Sequence, residues 1–352
     1  MIRVLIVDDS PVIREVISQI LQKDPEISVI GAIGNGEDGV KAAVEMSPDL
    51  ITMDINLPGI NGLEATRRIM NLKPVPIIIV SSTVDNYNIS TSFQAIEAGA
   101  LAVMRTPPGL LNPTFENYVQ ELINTVKLYS EIKVVKRRFI KYNVSSPVAE
   151  PYSTTDVKMM DVEIVVIGAS TGGPPVVATI LTILGPNLSV PVLITQHMSP
   201  GFITGYAEWL SNSSSVCVRV PEDNEVLIPG IVYVAPDNVH MGVKEKGRIH
   251  LSNEDPIKSL RPSVGYLFRT VAETYGKKAL AVILTGMGDD GASEMGLIRK
   301  KGGITIAQDA ESSIVNGMPG SAISLGSVKY ILPPELIAEK VKSLLEKKVK
   351  FN

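Results

Sequence analysis

The sequence predicts an α/β protein made of two successive units, each a mostly parallel sheet wrapped by helices. Three observations predict it. The chain has 352 residues, enough for two domains at roughly 150 residues each. Short apolar runs alternate with amphipathic stretches, the pattern of βαβ units. From about Glu131 to Met160 the alternation stops, and a polar segment carrying Ser145-Ser146-Pro147 and Glu150-Pro151 takes its place. A segment of that kind reads as a linker. The expected division is residues 1–128, a linker over 129–160, and a second unit over 161–350.

In the first unit, strands are expected at Val4–Val7, Val29–Ile33, Leu50–Met53, Ile77–Val80 and Leu101–Met104. Continuous apolar runs without alternation suit strands covered on both faces. Ser10 is placed to cap the first helix, with Pro11 at its first position. A helix from about Pro113 to Leu128 completes a (βα)5, flavodoxin-like unit. In the linker, Lys136-Arg137-Arg138 reads as a solvated basic cluster. In the second unit, strands are expected at Val162–Ile167, Val190–Thr195, Val216–Val220, Ile231–Ala235, Ile249–Leu251, Ala279–Leu284 and Ile304–Ala307. The Pro229-Gly230 pair and the short strands near Arg248 suggest an antiparallel hairpin beside a doubly wound sheet. A helix from about Pro334 to Lys347 closes the chain.

Composition excludes several function classes. Hydrophobic residues at 45% and charged residues at 20% are ordinary for a soluble protein. A net charge of −4 lacks the basic footprint of nucleic-acid binding. Cys217 is the single cysteine, which rules out an internal disulfide and fits a reducing compartment. With only His197, His240 and His250 beside it, a Cys/His zinc site is not expected. The N-terminus turns acidic too soon for a signal peptide, and no apolar run approaches the ~20 residues that span a bilayer. A cytoplasmic protein without membrane insertion is expected.

Asp8 and Asp9 end the first strand and Asp54 ends the third. In a sheet of order 2-1-3-4-5 those strands are neighbours, so the three carboxylates converge. Like charges so close call for a divalent cation, and oxygen ligands favour Mg²⁺. Ser81, after the fourth strand, adds a hydroxyl beside them. The stretches Val7-Asp8-Asp9, Met53-Asp54-Ile55-Asn56-Leu57-Pro58-Gly59 and Val80-Ser81-Ser82 resemble the response-regulator receiver domain over about residues 1–125. The resemblance implies that Asp54 accepts a phosphoryl group from a histidine kinase. It implies further that Asp8, Asp9 and the Asn56 carbonyl hold Mg²⁺ with Asp54, and that Ser81 is the switch hydroxyl. One position departs from the pattern: Thr106, in Met104-Arg105-Thr106-Pro107, stands where receivers carry lysine. Threonine brings no charge to a phosphoryl group, so altered coupling to output is expected.

In the second unit, Ser170 follows the first strand within Gly168-Ala169-Ser170-Thr171-Gly172-Gly173-Pro174. His197 follows the second, and Gly286-Met287-Gly288-Asp289-Asp290-Gly291 follows a later one. A hydroxyl, an imidazole and a carboxylate at strand ends are the parts of a Ser-His-Asp triad. Asp289 and Asp290 are equally placed on this reading. Two rival readings are weak. A phosphate loop needs Lys-Ser/Thr after its glycines, where Pro174-Pro175 stands, and a dinucleotide fold needs a different glycine spacing. Backbone N–H groups of the two glycine-rich turns are candidates for an oxyanion site. His240 and His250 lack such company and read as structural or peripheral.

Together with Gln196-His197-Met198-Ser199-Pro200-Gly201-Phe202, Arg261-Pro262-Ser263-Val264 and Leu284-Thr285-Gly286-Met287-Gly288-Asp289-Asp290-Gly291, these motifs resemble the chemotaxis protein-glutamate methylesterases, the CheB family. The resemblance selects Asp290 as the triad acid, with Ser170 as nucleophile and His197 as base. It places Thr171 beside the nucleophile and the Met287 N–H at the oxyanion position. Gly265 departs from the aspartate common in the family, outside the triad. The implied reaction is hydrolysis of glutamate γ-methyl esters on methyl-accepting chemotaxis receptors, with receptor glutamine deamidation as a second activity. The esterase needs no cofactor, and the receiver needs Mg²⁺. Phosphorylation of the receiver is implied to relieve a block of the active-site face. A signalling adaptor with an altered phosphorylation response is the competing reading, suggested by Thr106.

Overall fold

In the computed structural model, residues 1–82, 89–132, 161–198, 200–245 and 247–345 are described, without the side chains of residues 89–92. Most of the expected linker, with its basic cluster, lies outside them, as does the end of the expected final helix. The first unit runs β1 (Ile2–Val7), α1 (Pro11–Leu21), β2 (Ile27–Ile33), α2 (Gly36–Met46), β3 (Leu50–Met53), α3 (Gly62–Leu72), β4 (Ile77–Ser81), α4 (Ile89–Ala98), β5 (Ala102–Arg105) and α5 (Phe115–Ser130). Its sheet has the order β2-β1-β3-β4-β5, parallel throughout. Ser10 caps α1 as expected, accepting from the Ile13 N–H at 3.4 Å, with Pro11 at the first position. α5 ends at Ser130, two residues beyond the expected boundary.

The second unit runs β6 (Ile164–Ala169), α6 (Gly173–Leu184), β7 (Val192–Gln196), α7 (Ile203–Ser214), β8 (Cys217–Arg219), β9 (Ile231–Val234), β10 (His240–Glu245), β11 (Arg248–Ser252), α8 (Val264–Tyr275), β12 (Ala279–Ile283), α9 (Ala292–Lys300), β13 (Ile304–Gln308), α10 (Met318–Ser324), β14 (Tyr330–Leu332) and α11 (Pro334–Leu345). Seven strands form a parallel sheet of order β14-β13-β12-β6-β7-β9-β8. The chain builds outward from β6 on one side and returns on the other through β12, so the strand order reverses at β6. Helices cover both faces. Val165, Ile167 and Ala169 join one apolar cluster with residues of α6, α7 and α11. Ile164 and Val166 join a second with residues of α8, α9 and α10. Each fully buried Val, Leu or Ile contributes roughly 1.5–3 kcal/mol, and burial on both faces explains why these strands show no polar alternation.

Some expectations shift. Pairing in β6 begins at Ile164, opposite Ala279, so Gly168 and Ala169 fall inside the strand and Ser170 follows it directly. The antiparallel hairpin exists as a separate two-stranded sheet, β10 with β11. Its return lies at Gly247 (φ +81°), whereas Pro229-Gly230 leads into the parallel strand β9. β10 and β14 were not expected. Gly242 interrupts the apolar pattern of β10, and β14 has only three residues.

Candidate active site

The two units meet their sites at the carboxyl ends of strands, where helices do not close the sheet. Ser170 leaves β6 tied to both neighbouring strands. Its N–H donates to the Thr285 carbonyl at 3.1 Å, and the His197 N–H donates to the Ala169 carbonyl at 2.9 Å. The turn is closed by the Gly173 N–H on the Ser170 carbonyl at 2.8 Å, with Gly172 at φ +75°. Gly286 permits the close approach of the later loop, since a Cβ there would lie 2.6 Å from the Ser170 Cβ. The buried amide of Gln196 donates to the Ser170 carbonyl at 2.8 Å and to the His197 carbonyl at 2.9 Å. One side chain therefore joins the backbones of both residues.

The structure separates the two aspartates. Asp290 is buried, with Oδ2 3.0 Å from His197 Nε2. Asp289 is exposed and pairs with Lys258 Nζ at 2.6 Å. Asp290 also accepts at Oδ2 from the Val264 N–H (2.7 Å), and at Oδ1 from the Ser263 hydroxyl (2.8 Å) and the Gly265 N–H (3.0 Å). These donors open α8, which Ser263 caps through the Tyr266 N–H, so the carboxylate sits on a helix N-terminus that favours negative charge. Burial pushes the Asp290 carboxyl up, but the bond to His197, its charge, and the Ser263 and Gly265 donors together hold it below its ordinary value. With Nε2 committed to Asp290, Nδ1 is the imidazole nitrogen left for Ser170. Ser170 Oγ makes no hydrogen bond to it among the described residues. Serine–imidazole bonds are commonly long before substrate arrives. The N–H groups of Thr171 and Met287 have no partner among the described residues. Met287 is 55% exposed.

In the first unit, carboxylate oxygens of Asp8, Asp9 and Asp54 lie within 4.8 Å of one another. Asn56 donates its N–H to Asp54 Oδ2 at 3.1 Å, and the Ser81 hydroxyl hydrogen-bonds to the same carboxylate. Burial pushes Asp8 up to about 6; the charges of Asp54 and Asp9 add to this, against the Ser10 N–H and Arg14. Asp54 is also raised by burial, against the bonds from Ser81, Ile55 and Asn56. An all-oxygen, mutually repelling cluster fits a hard divalent cation. Thr106 lies at the same edge, its N–H on the Ser81 carbonyl at 3.3 Å. Arg105 is exposed and does not replace the missing lysine there.

Both units have counterparts among known proteins. Residues 165–341 match the family described as CheB methylesterase, and residues 4–107 the response regulator receiver domain. A protein of Nitrosospira multiformis, named protein-glutamate methylesterase/protein-glutamine glutaminase, is 47% identical over 346 residues, covering 98% of this chain and 97% of that one. A similarly named protein of Methanospirillum hungatei is 47% identical over 348 residues, covering 99% of each. The chain belongs to the CheB methylesterase family. The crystal structure of the CheB methylesterase catalytic domain of Thermotoga maritima shares 41% identity with a TM-score of 0.50, covering 52% of this chain and 98% of that one.

In this member of the CheB methylesterase family, α4 and the end of α5 of the receiver meet the esterase unit. Phe93 of α4 stacks on Trp209 of α7 (centroids 5.0 Å, planes 17° apart) and leans on Tyr206 at 5.4 Å. Trp209 Nε1 donates to Glu97 Oε1 at 2.9 Å. Near the end of α5, the Tyr129 hydroxyl comes against the Thr171 side chain, next to Ser170. Sequence reasoning missed these contacts, which depend on how the units dock. It also missed that Gln196 bonds to the backbones of Ser170 and His197, and that Ser263 and Gly265 bond to Asp290. Gly265 was expected outside the triad, yet a Cβ there would lie 3.1 Å from Asp290 Oδ1. A serine opening a helix after Arg261-Pro262 was the available signal for Ser263.

Proposed function

We propose that this chain hydrolyses glutamate γ-methyl esters on chemoreceptors, releasing methanol, with Ser170 as nucleophile, His197 as base and Asp290 as its orienting acid. The observation that carries the reading is the 3.0 Å His197–Asp290 pair beside Ser170, at the strand-order reversal of a CheB-family sheet. His197 Nδ1 takes the Ser170 Oγ proton as Oγ attacks the ester carbonyl. The oxyanion is met by the N–H groups of Thr171 and Met287. Collapse breaks the carbonyl–methoxy bond, and the imidazolium returns its proton to the leaving methoxide as methanol. Water then attacks the glutamyl-serine ester, giving its proton to His197, and glutamate leaves as Ser170 is reprotonated. With a receptor glutamine the same cycle expels ammonia, in keeping with the double name of the relatives. Ser170→Ala, assayed by methanol release from methylated receptor, should lose about a thousandfold or more; unchanged release would refute the assignment.

Regulation is part of the same reading. Asp54 is the phosphoryl acceptor for a chemotaxis histidine kinase. Asp8, Asp9, Asp54 and the Asn56 carbonyl would hold Mg²⁺, which supplies charge neutralisation when bound. Ser81 and Thr106 flank the phosphoryl position. The Phe93–Trp209 and Tyr129–Thr171 contacts support a receiver that restrains the esterase face. Thr106 supports the second reading, that phosphorylation is coupled to output differently from receivers with lysine. Acetyl phosphate should therefore activate only weakly, and a large activation dependent on Asp54 would contradict this.

A further inference from the structure

His240 of β10 is fully buried, yet it belongs to no group of the proposed triad. Its ring stacks on Tyr266 of α8, centroids 4.7 Å apart and planes 14° apart. Its two nitrogens meet partners of opposite kind. Nε2 lies 3.2 Å from the Asp255 carbonyl oxygen, which can only accept, so Nε2 carries the hydrogen. Nδ1 lies 3.2 Å from the Ser263 backbone nitrogen, whose N–H can only donate, so Nδ1 is a bare acceptor. The partners thereby fix the neutral Nε2–H tautomer. Burial lowers the His240 pKa, which favours the same form. The Arg261 charge acts in the same direction, against the Asp255 carbonyl and the charges of Glu254 and Asp290.

Ser263 is the residue through which this matters. Its hydroxyl donates to Asp290 Oδ1, and the next two N–H groups, of Val264 and Gly265, hold both carboxylate oxygens. The N–H of a capping residue has no helical partner of its own, and here His240 supplies one. A protonated His240, or a side chain without an acceptor at Nδ1, leaves the buried Ser263 N–H unsatisfied. That costs free energy which a shift of the α8 entry would relieve.

We propose that His240 is a positioning residue of the esterase: its bare Nδ1 anchors Ser263, and through Ser263 the start of α8 that aims the Asp290 carboxylate at His197. The proposal rests on the triad reading above. It adds a layer behind the acid, made of a second histidine that never exchanges a proton with substrate.

Two variants separate positioning from simple packing. In His240→Asn the amide oxygen falls near the Nδ1 position and keeps an acceptor for Ser263. In His240→Gln the amide falls near Nε2 and keeps only the Asp255 contact. Methanol release by the full chain is predicted to fall about tenfold or more in kcat for the Gln variant, with KM within about twofold. The Asn variant should stay within about threefold of wild type. Equal losses in both variants, or losses confined to KM, would overturn the proposal. A second readout does not depend on turnover. The chain has three histidines, so ¹⁵N-imidazole NMR resolves each ring. His240 should be neutral and Nε2-protonated at pH 7, and the His197 signals should move in the Gln variant but not in the Asn variant. A charged or Nδ1-protonated His240 in the wild-type protein would overturn the proposal whatever the activity. Should the Gln variant fail to fold, the Asn variant and the wild-type tautomer decide: a tenfold loss of kcat in His240→Asn counts against the anchor.

Discussion

Asp289 and Asp290 are neighbours with opposite environments, and this contrast makes the sharpest residue-scale prediction. Asp290 is buried against His197, whereas Asp289 is exposed against Lys258. If Asp290 is the acid that fixes the imidazole tautomer, kcat for methanol release should drop by about four orders of magnitude in Asp290→Asn. Asp289→Asn should stay within about threefold, since exposed pairs contribute little. Equal losses would mean the structure has separated the pair wrongly. Residue-by-residue reading placed both aspartates on one loop without separating them, because burial is a property of the packed α8 entry; only the family resemblance favoured Asp290. Asp8 gives the pH prediction. Its folded value of about 6 lies above the ordinary 3.8, so the folded state holds the proton more tightly than the unfolded chain. Without divalent cation, its contribution to stability is present below pH 4 and lost as pH rises through about 6. Thermal unfolding across that window should show the loss in wild type and a flatter profile in Asp8→Asn. Mg²⁺ should raise the wild-type melting temperature above pH 6 and lose its effect towards pH 5.

At the scale of elements, the apolar runs were legible because buried parallel strands leave a continuous signature, and all five strands of the first sheet and six of the seven in the second were visible in that way. What escaped were elements whose existence depends on a neighbour. β14 is a three-residue strand paired, among the described residues, only with β13, and β10 exists through its hairpin partner β11. Glycine positions carried more information than strand ends. Gly286 is needed because β12's loop passes against the Ser170 turn, where a Cβ would meet Ser170 Cβ at 2.6 Å and Met318 Sδ at 2.5 Å. Gly286→Ala should therefore lower activity by more than tenfold while costing about 1–3 kcal/mol of stability through overpacking, read by denaturant unfolding beside the methanol assay. A fully active Gly286→Ala protein would show that the loop and the turn do not need this approach.

For the whole molecule, composition and motif spacing gave the two-unit plan, the acidic pocket and the three strand-end residues. The docking of the units was not legible, since Phe93, Trp209, Glu97 and Tyr129 carry no motif. They become meaningful only once α4 lies on α7 and the end of α5 reaches Thr171. If those contacts restrain the esterase, Tyr129→Phe should raise basal methanol release several-fold without acetyl phosphate, and a lowered rate would argue that Tyr129 supports the site instead. The central claim, that Ser170, His197 and Asp290 act as one catalytic unit, is tested most directly by methanol release from methylated receptor in single and combined alanine variants. Residues acting as a unit give losses that do not add. The account predicts that Ser170→Ala/His197→Ala is no slower than Ser170→Ala alone. Losses that multiply, or a Ser170→Ala enzyme still dependent on His197, would contradict it.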